Sequence, residues 1–355
     1  MRCLLRQLPV LVSFLLLQSC ATAPQVMVYF PNGEAPEERI SWPAAPETAR
    51  LEYAGVLIGE SNFIKSEGAR DGAGIRFLRW VAGIGGRKRE VRQLLRPQSG
   101  VVDQTGRILV TDAGRQAVLV FDESQSNLMI WNDAGIGGTF QSPVGIAVRN
   151  DGHILVADAD LGYVVVLSPE GTAVTEFGGG ILQRPTGVAI NPENGEIFVS
   201  DTGAHDVKVF NNSGSYIRSI GSPGTGPGEF NGPSHLKFDG GRLFVTDTFN
   251  ARVQVLTAAG EPLVQLGQRG LYVGNLVRPK GVTTDSDGNV YIVESYYDHL
   301  LIFDTSGSLL LPIGGTGSGS GQFFLPAGIW SDSTDRIFVA DMFNGRVIIL
   351  RYLGA

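Results

Sequence analysis

The chain reads as an all-β protein, a six-bladed β-propeller closed by an N-terminal strand that completes the last blade. Three observations predict this. First, Pro97, Pro143, Pro185, Pro233, Pro279 and Pro326 each open a hydrophobic run, at spacings of 46, 42, 48, 46 and 47 residues. A fixed period of that size marks a repeat architecture. Second, each run closes on an acid about fifteen positions later: Asp112, Asp158, Asp201, Asp247, Glu294 and Asp341. Third, the sixth repeat stops one strand short, and a strand-like segment stands ahead of the first.

The third repeat gives the order of elements. It runs RPTGVAI from Arg184, a turn at Asn191–Gly195, and EIFVSD to Asp201. Then come DVKVF to Phe210, a turn at Asn211–Gly214, and SYIRSIG to Gly221. These are four short runs rich in β-branched and aromatic residues, separated by Asn, Gly and Pro. The second strand recurs as RILVTD, HILVAD, EIFVSD, RLFVTD, NVYIVE and RIFVAD. Continuous apolar runs of this length fit strands covered on both faces. A ring of four-stranded sheets stacked face to face provides that cover.

The sixth repeat ends after RVIIL at Arg346–Leu350. Upstream, RLEYAGVLIG at 50–59 resembles the fourth strand of repeat three. It is expected to pair with Arg346–Leu350 and close the ring, which removes an exposed edge.

The repeats resemble the NHL repeat, with its Gly-rich turn and Phe, Pro-x-Gly-Val-Ala, an Ile/Val-Phe/Tyr-Val-x-Asp strand and an Asn-x-Arg-Val step. GPGEF (Gly226–Phe230) and GSGQF (Gly319–Phe323) precede Pro233 and Pro326, and DTFNARVQVL and DMFNGRVIIL follow in those repeats. Repeats one, two, three and five lack the Asn-x-Arg step. The resemblance covers residues 96–350 and implies the propeller. It does not imply one activity, because a fold hosts many.

Residues 1–19 read as a signal peptide: Arg2 and Arg6 form a basic start, and Leu8–Leu17 an apolar core too short to span a membrane. Leu17-Gln18-Ser19-Cys20 resembles the bacterial lipobox, which implies cleavage before Cys20 and its lipidation. In Gram-negative lipoproteins Asp in the next position retains the protein in the inner membrane. Ala21 therefore points to an outer-membrane anchor facing the periplasm. With Cys3 in the signal and Cys20 acylated, the folded part has no cysteine to form a disulfide. Residues 20–49, rich in Pro, Ala and Glu, read as a tether, with docking of Trp42-Pro43 on the ring as the other reading. A flexible tether of that length would hold the domain on the order of 30 Å from the bilayer.

The formal charge of −7 becomes −9 once Arg2 and Arg6 leave with the signal, which disfavours nucleic acid as a partner. Residues 70–96 run against this trend, with eight basic residues against Asp71 and Glu90. Apolar residues interleave at helix-like spacing there. The segment reads either as packed on the propeller or as touching anionic membrane.

No catalytic constellation stands out. The four histidines, His153, His205, His235 and His299, include no helical zinc pair. His235 takes the place held by Gly145, Gly187, Gly281 and Gly328 in other repeats. The peptidyl-hydroxyglycine lyase family has a similar architecture and places zinc-binding histidines directly after the repeat proline. Here those positions hold Gln98, Val144, Thr186, Ser234, Lys280 and Ala327. The calcium-dependent lactonase propellers use tunnel carboxylates and amides. The recurrent acids here fit better as turn-forming residues demanded by every blade. The Gly-rich stretches Gly221–Phe230 and Gly314–Phe323 lack the spacing of phosphate-binding loops and read as linkers between blades. No metal or other cofactor is expected.

Connections from second to third strands share a face with connections between blades. The candidate binding face is therefore Ser234, His235, Lys280, Tyr296, Tyr297, Phe249 and Phe343. Loop aromatics suit recognition of a protein segment or a glycan. Packing of Phe249 and Phe343 against neighbouring blades is the other reading. The sequence thus predicts a lipid-anchored binding scaffold of the bacterial envelope, and the alternative is a hydrolase or lyase with a tunnel site.

Overall fold

The computed structural model describes residues 25–31, 39–65 and 92–354. It is a six-bladed β-propeller. Five blades are four-stranded antiparallel sheets in chain order, such as Pro97–Val102, Ile108–Asp112, Ala117–Asp122 and Asn127–Trp131 in the first. The fourth blade comprises Pro233–Asp239, Arg242–Asp247, Arg252–Thr257 and Pro262–Leu266. The proline-led strands are innermost. Each lies against the inner strands of both neighbouring blades, the sixth (Ile329–Ser331) against the first, so the first and fourth blades face each other across the tunnel.

The apolar second strands explain the packing. In Ile108–Asp112, Ile108 and Val110 enter a core cluster shared with the sixth blade, while Leu109 enters a cluster shared with the second. The core is thus a set of wedges between neighbouring blades. Each second strand is covered on both faces and loses its alternation. The outer strands carry most of the exposure, as in Pro262–Leu266.

In the last blade, Leu51–Leu57 pairs antiparallel with Arg346–Tyr352, from Val347↔Leu57 to Tyr352↔Leu51. Leu51 and Leu57 are buried. Ser41–Trp42 adds a short fifth strand outside Leu51–Leu57.

The tether reading of residues 20–49 needs correction over its described parts. Gln25–Met27 pairs with Phe63–Lys65, and Met27 joins the cluster between the sixth and first blades. Tyr29 Oη donates to Glu123 Oε2 at 2.9 Å and accepts from Arg336 Nη1 at 3.1 Å, which ties those blades together. Trp42 packs over Gly321, where a Cβ would sit 2.4 Å from its ring. A few apolar residues spaced among Pro and Glu suffice to dock the segment, because burying each large side chain is worth about 1.5–3 kcal/mol. The signal peptide, Cys20 and most of the basic stretch 70–96 lie outside the described residues. At the end of that stretch, Arg92 Nε donates to Glu60 Oε1 at 2.6 Å and Leu94 is buried.

Candidate functional site

The recurrent acids are buried structural groups. Asp112 accepts the Leu95 and Arg96 amides at 2.7 and 3.0 Å, just ahead of the inner strand. It also accepts the Gly114 and Arg115 amides, both at 2.9 Å, just after the second strand. Asp158 repeats the pattern with the amides of Gln141, Ser142, Asp160 and Leu161. Glu294 does so with Val277, Arg278 and Tyr296. Each acid thus staples the connection between blades to the loop after its own second strand. In the fourth and sixth blades the Asn-x-Arg step joins in: Asn250 and Arg252 donate to Asp247, and Asn344 and Arg346 to Asp341. Burial pushes the Asp341 carboxyl up from its usual range despite these donors. With their lone pairs committed to protein donors, these acids are poorly placed to act as tunnel ligands. Among the described residues no group of three or more His, Cys, Asp or Glu could hold a metal ion.

The tunnel is lined by the six inner strands and encloses about 220 Å³. In most blades the third residue of the inner strand is glycine for want of room. A Cβ on Gly145 would meet Thr186 O at 2.6 Å, and one on Gly328 would meet Gln98 O at 2.2 Å. Two blades depart from this, and they face each other: Ser99 in the first and His235 in the fourth. His235 Nε2 lies 3.1 Å from Ser99 Oγ, so the two side chains form a bar across the tunnel. The Val282 amide points at His235 Nδ1 from 3.5 Å. The inner strand of the fourth blade shifts register between Pro233 and Leu236, as those of other blades do after Pro97, Pro185 and Pro279.

A serine beside a histidine invites a nucleophilic reading. A general base needs a free Nε2 lone pair toward the serine and an acid holding Nδ1–H. Here Nδ1 receives an N–H, which places the proton on Nε2 and makes the imidazole the donor to Ser99. Burial, then the neighbouring Lys237 charge, lowers the His235 pKa to about 4. The ring is therefore neutral near pH 7 and serves as a hydrogen-bonded brace.

The structure separates the other candidate residues. Ser234 Oγ is bonded to Thr248 Oγ1 at 2.7 Å and donates to Lys280 O at 3.2 Å, which makes it part of the frame at the tunnel mouth. Lys280 lies nearby, its pKa lowered by burial and by the charges of Arg278 and Arg184. Tyr296 and Tyr297 meet edge-on at 4.9 Å; Tyr296 is 60% exposed, while Tyr297 is half-buried. Phe249 and Phe343 are 52% and 55% exposed, so neither is buried between blades. Phe249 lies over Gly232 and Phe343 meets Phe324 at 5.5 Å. His205 accepts the Gly232 amide at 3.0 Å and braces two blades.

The sequence reading missed the rest of this face. Leu95, Ile136, Ile181, Phe324 and the tripeptide Leu271-Tyr272-Val273 are exposed on the connections between blades. The tripeptide adjoins Tyr297 and His299. An apolar triplet inside an otherwise Gly-rich linker was the available signal. On the opposite face the exposed large apolar side chains include Leu353, after the last strand, and Tyr216 and Leu309, where outer strands leave their turns.

Comparison with known proteins agrees with this architecture. The sequence profile of a family described as "6-bladed beta-propeller" matches residues 188–253 and 275–352. A probable peptidyl-alpha-hydroxyglycine alpha-amidating lyase of Caenorhabditis elegans is 25% identical over 184 residues. That match spans 44% of this chain and about half, 51%, of the lyase. Among solved structures, an auxiliary nutrient binding protein of Bacteroides thetaiotaomicron superposes with a TM-score of 0.58 at 13% identity, over 74% of this chain and 71% of that one. A gluconolactonase of Xanthomonas campestris superposes at 0.57 with 16% identity, over 76% and 93%. At such identities the likeness concerns the fold.

Proposed function

We propose that this chain is a lipid-anchored, non-catalytic binding protein of the bacterial cell envelope, which presents the loop face of its propeller to a protein partner. The observation that carries this reading is the set of exposed apolar residues on the loop face. Phe249, Tyr296, Phe343 and the Leu271–Val273 tripeptide share that face, and the tripeptide reaches 69–84% exposure. Exposed apolar residues gathered on one loop face suit an interaction site, and the tripeptide adjoins Tyr297. The aliphatic members, Leu271, Ile136 and Ile181, favour a protein over a sugar, whose recognition relies on aromatic rings. The auxiliary nutrient binding proteins among the structural relatives are compatible with a binding role. The committed acids and the donor state of His235 count against tunnel hydrolysis. The anchor rests on the lipobox-like Leu17–Cys20.

Envelope fractionation tests both halves. Cys20→Ala is expected to move the protein from the membrane to the soluble fraction; unchanged partitioning would refute the anchor. Joint replacement of Phe249, Tyr296 and Phe343 by Ser is expected to weaken the partner complex by about 2 kcal/mol or more, on the scale of interface hot spots. The melting temperature should hardly change, because these rings are half exposed or more. An intact complex on native gels would refute the assignment of the face, and a large loss of stability would show the rings to be packing residues.

A further inference from the structure

The tunnel carries one cationic side chain, Lys237, and no acid among its lining residues. Lys237 lines the cavity one step along the inner strand from His235. Its ammonium makes no hydrogen bond and no ion pair among the described residues. Asp239, the nearest acid to influence it, accepts from Thr284 Oγ1 at 3.1 Å. Trp330 lines the same cavity, with its ring stacked on Phe338 and its indole N–H buried without an acceptor. Ser99 Oγ lies 3.1 Å from His235 Nε2, its side-chain hydrogen-bond partner. The tunnel lining contains no carboxylate. A half-buried cation without an ion-pair partner favours an anion beside it.

We propose that the central tunnel holds a small organic anion, a carboxylate with a compact apolar body, whose charged end meets Lys237 beside the His235–Ser99 bar. Ile146 and Val188, each with a little surface left exposed, supply apolar wall for the body. The tunnel volume, about 220 Å³, is below that of a drug-sized pocket and suits a short acid better than a sugar chain or peptide. An ammonium is a compact donor for a carboxylate. Burial holds the Lys237 pKa below its ordinary value, and a bound carboxylate would restore the charged form. This site is distinct from the loop face and does not depend on its partner.

The test is titration of the full-length protein with acetate, isovalerate and benzoate, followed by calorimetry and ligand-observed NMR. Isovaleramide serves as the uncharged counterpart of isovalerate. At least one acid is expected to bind saturably with a Kd of about 1 mM or tighter. The amide should bind at least about tenfold more weakly, the scale of one charge-assisted hydrogen bond. Lys237→Met should lose the acid by a similar factor while keeping the wild-type circular dichroism. If Lys237→Met does not fold, Lys237→Gln serves instead; it keeps a polar side chain, removes the charge and should weaken binding by a similar factor. Absence of saturable binding by all three acids, equal binding of acid and amide, or wild-type affinity in the variant that folds would each overturn the proposal.

Discussion

Deletion of Leu51–Leu57 is expected to unfold the whole propeller. This strand supplies the outer partner of Arg346–Tyr352 and buries Leu51 and Leu57 in two different wedges, one on each side of the last blade. Truncating one buried leucine costs about 2–5 kcal/mol. The two together therefore approach the ~5–15 kcal/mol by which a domain is stable. The deletion would also open a long strand edge and invite association. Denaturant unfolding followed by tryptophan fluorescence should show a transition moved to far lower denaturant or lost, and light scattering should show aggregation. A variant that unfolds at the wild-type midpoint would mean that the ring does not depend on this strand.

Acid should destabilise the protein through His235. Its folded pKa, about 4, lies below the ordinary 6.5. Between those values the unfolded chain binds a proton that the folded one refuses, so stability falls as the pH drops from 6.5 toward 4. The gap corresponds to about 3 kcal/mol at 1.36 kcal/mol per pKa unit. The charged group that bears on His235 is Lys237, which strengthens the effect. Other groups also titrate in this range, so the comparison is with His235→Gln, which keeps a hydrogen-bonding side chain but cannot be protonated. The fall in unfolding free energy from pH 6.5 to 4 should be smaller in the variant by about 3 kcal/mol. Equal pH slopes would show that the imidazole is not held neutral by the tunnel.

The ring was legible because every blade must solve the same packing problem. A proline opens the inner strand, an acid staples two loops, and both recur at a readable period. The docking of residues 25–31 and 39–49 was harder to read. Met27, Tyr29 and Trp42 sit singly in a stretch whose Pro and Glu content otherwise signals a linker. His235 stood out because glycine is the rule in its place. Ser99 breaks the same rule in the first blade, but its meaning depends on the first and fourth blades being opposite, which is a property of the closed ring. Lys237 was invisible because a lysine in a strand ordinarily reads as facing bulk solvent, whereas the inner strand of a propeller faces only the tunnel. The loop aromatics were legible from the repeat grammar, whereas Leu271–Val273 and Ile136 lie in linkers whose exposure the pattern does not set.

The most direct measurement of the binding role is site-specific photocrosslinking in intact cells. Photoreactive residues at positions 296 and 343 report on the loop face, and at positions 213 and 306, in exposed polar turns, on the opposite face. The binding role predicts a discrete protein adduct from positions 296 and 343 and none from 213 and 306. Adducts from the turns alone, or equal adducts from both faces, would contradict it.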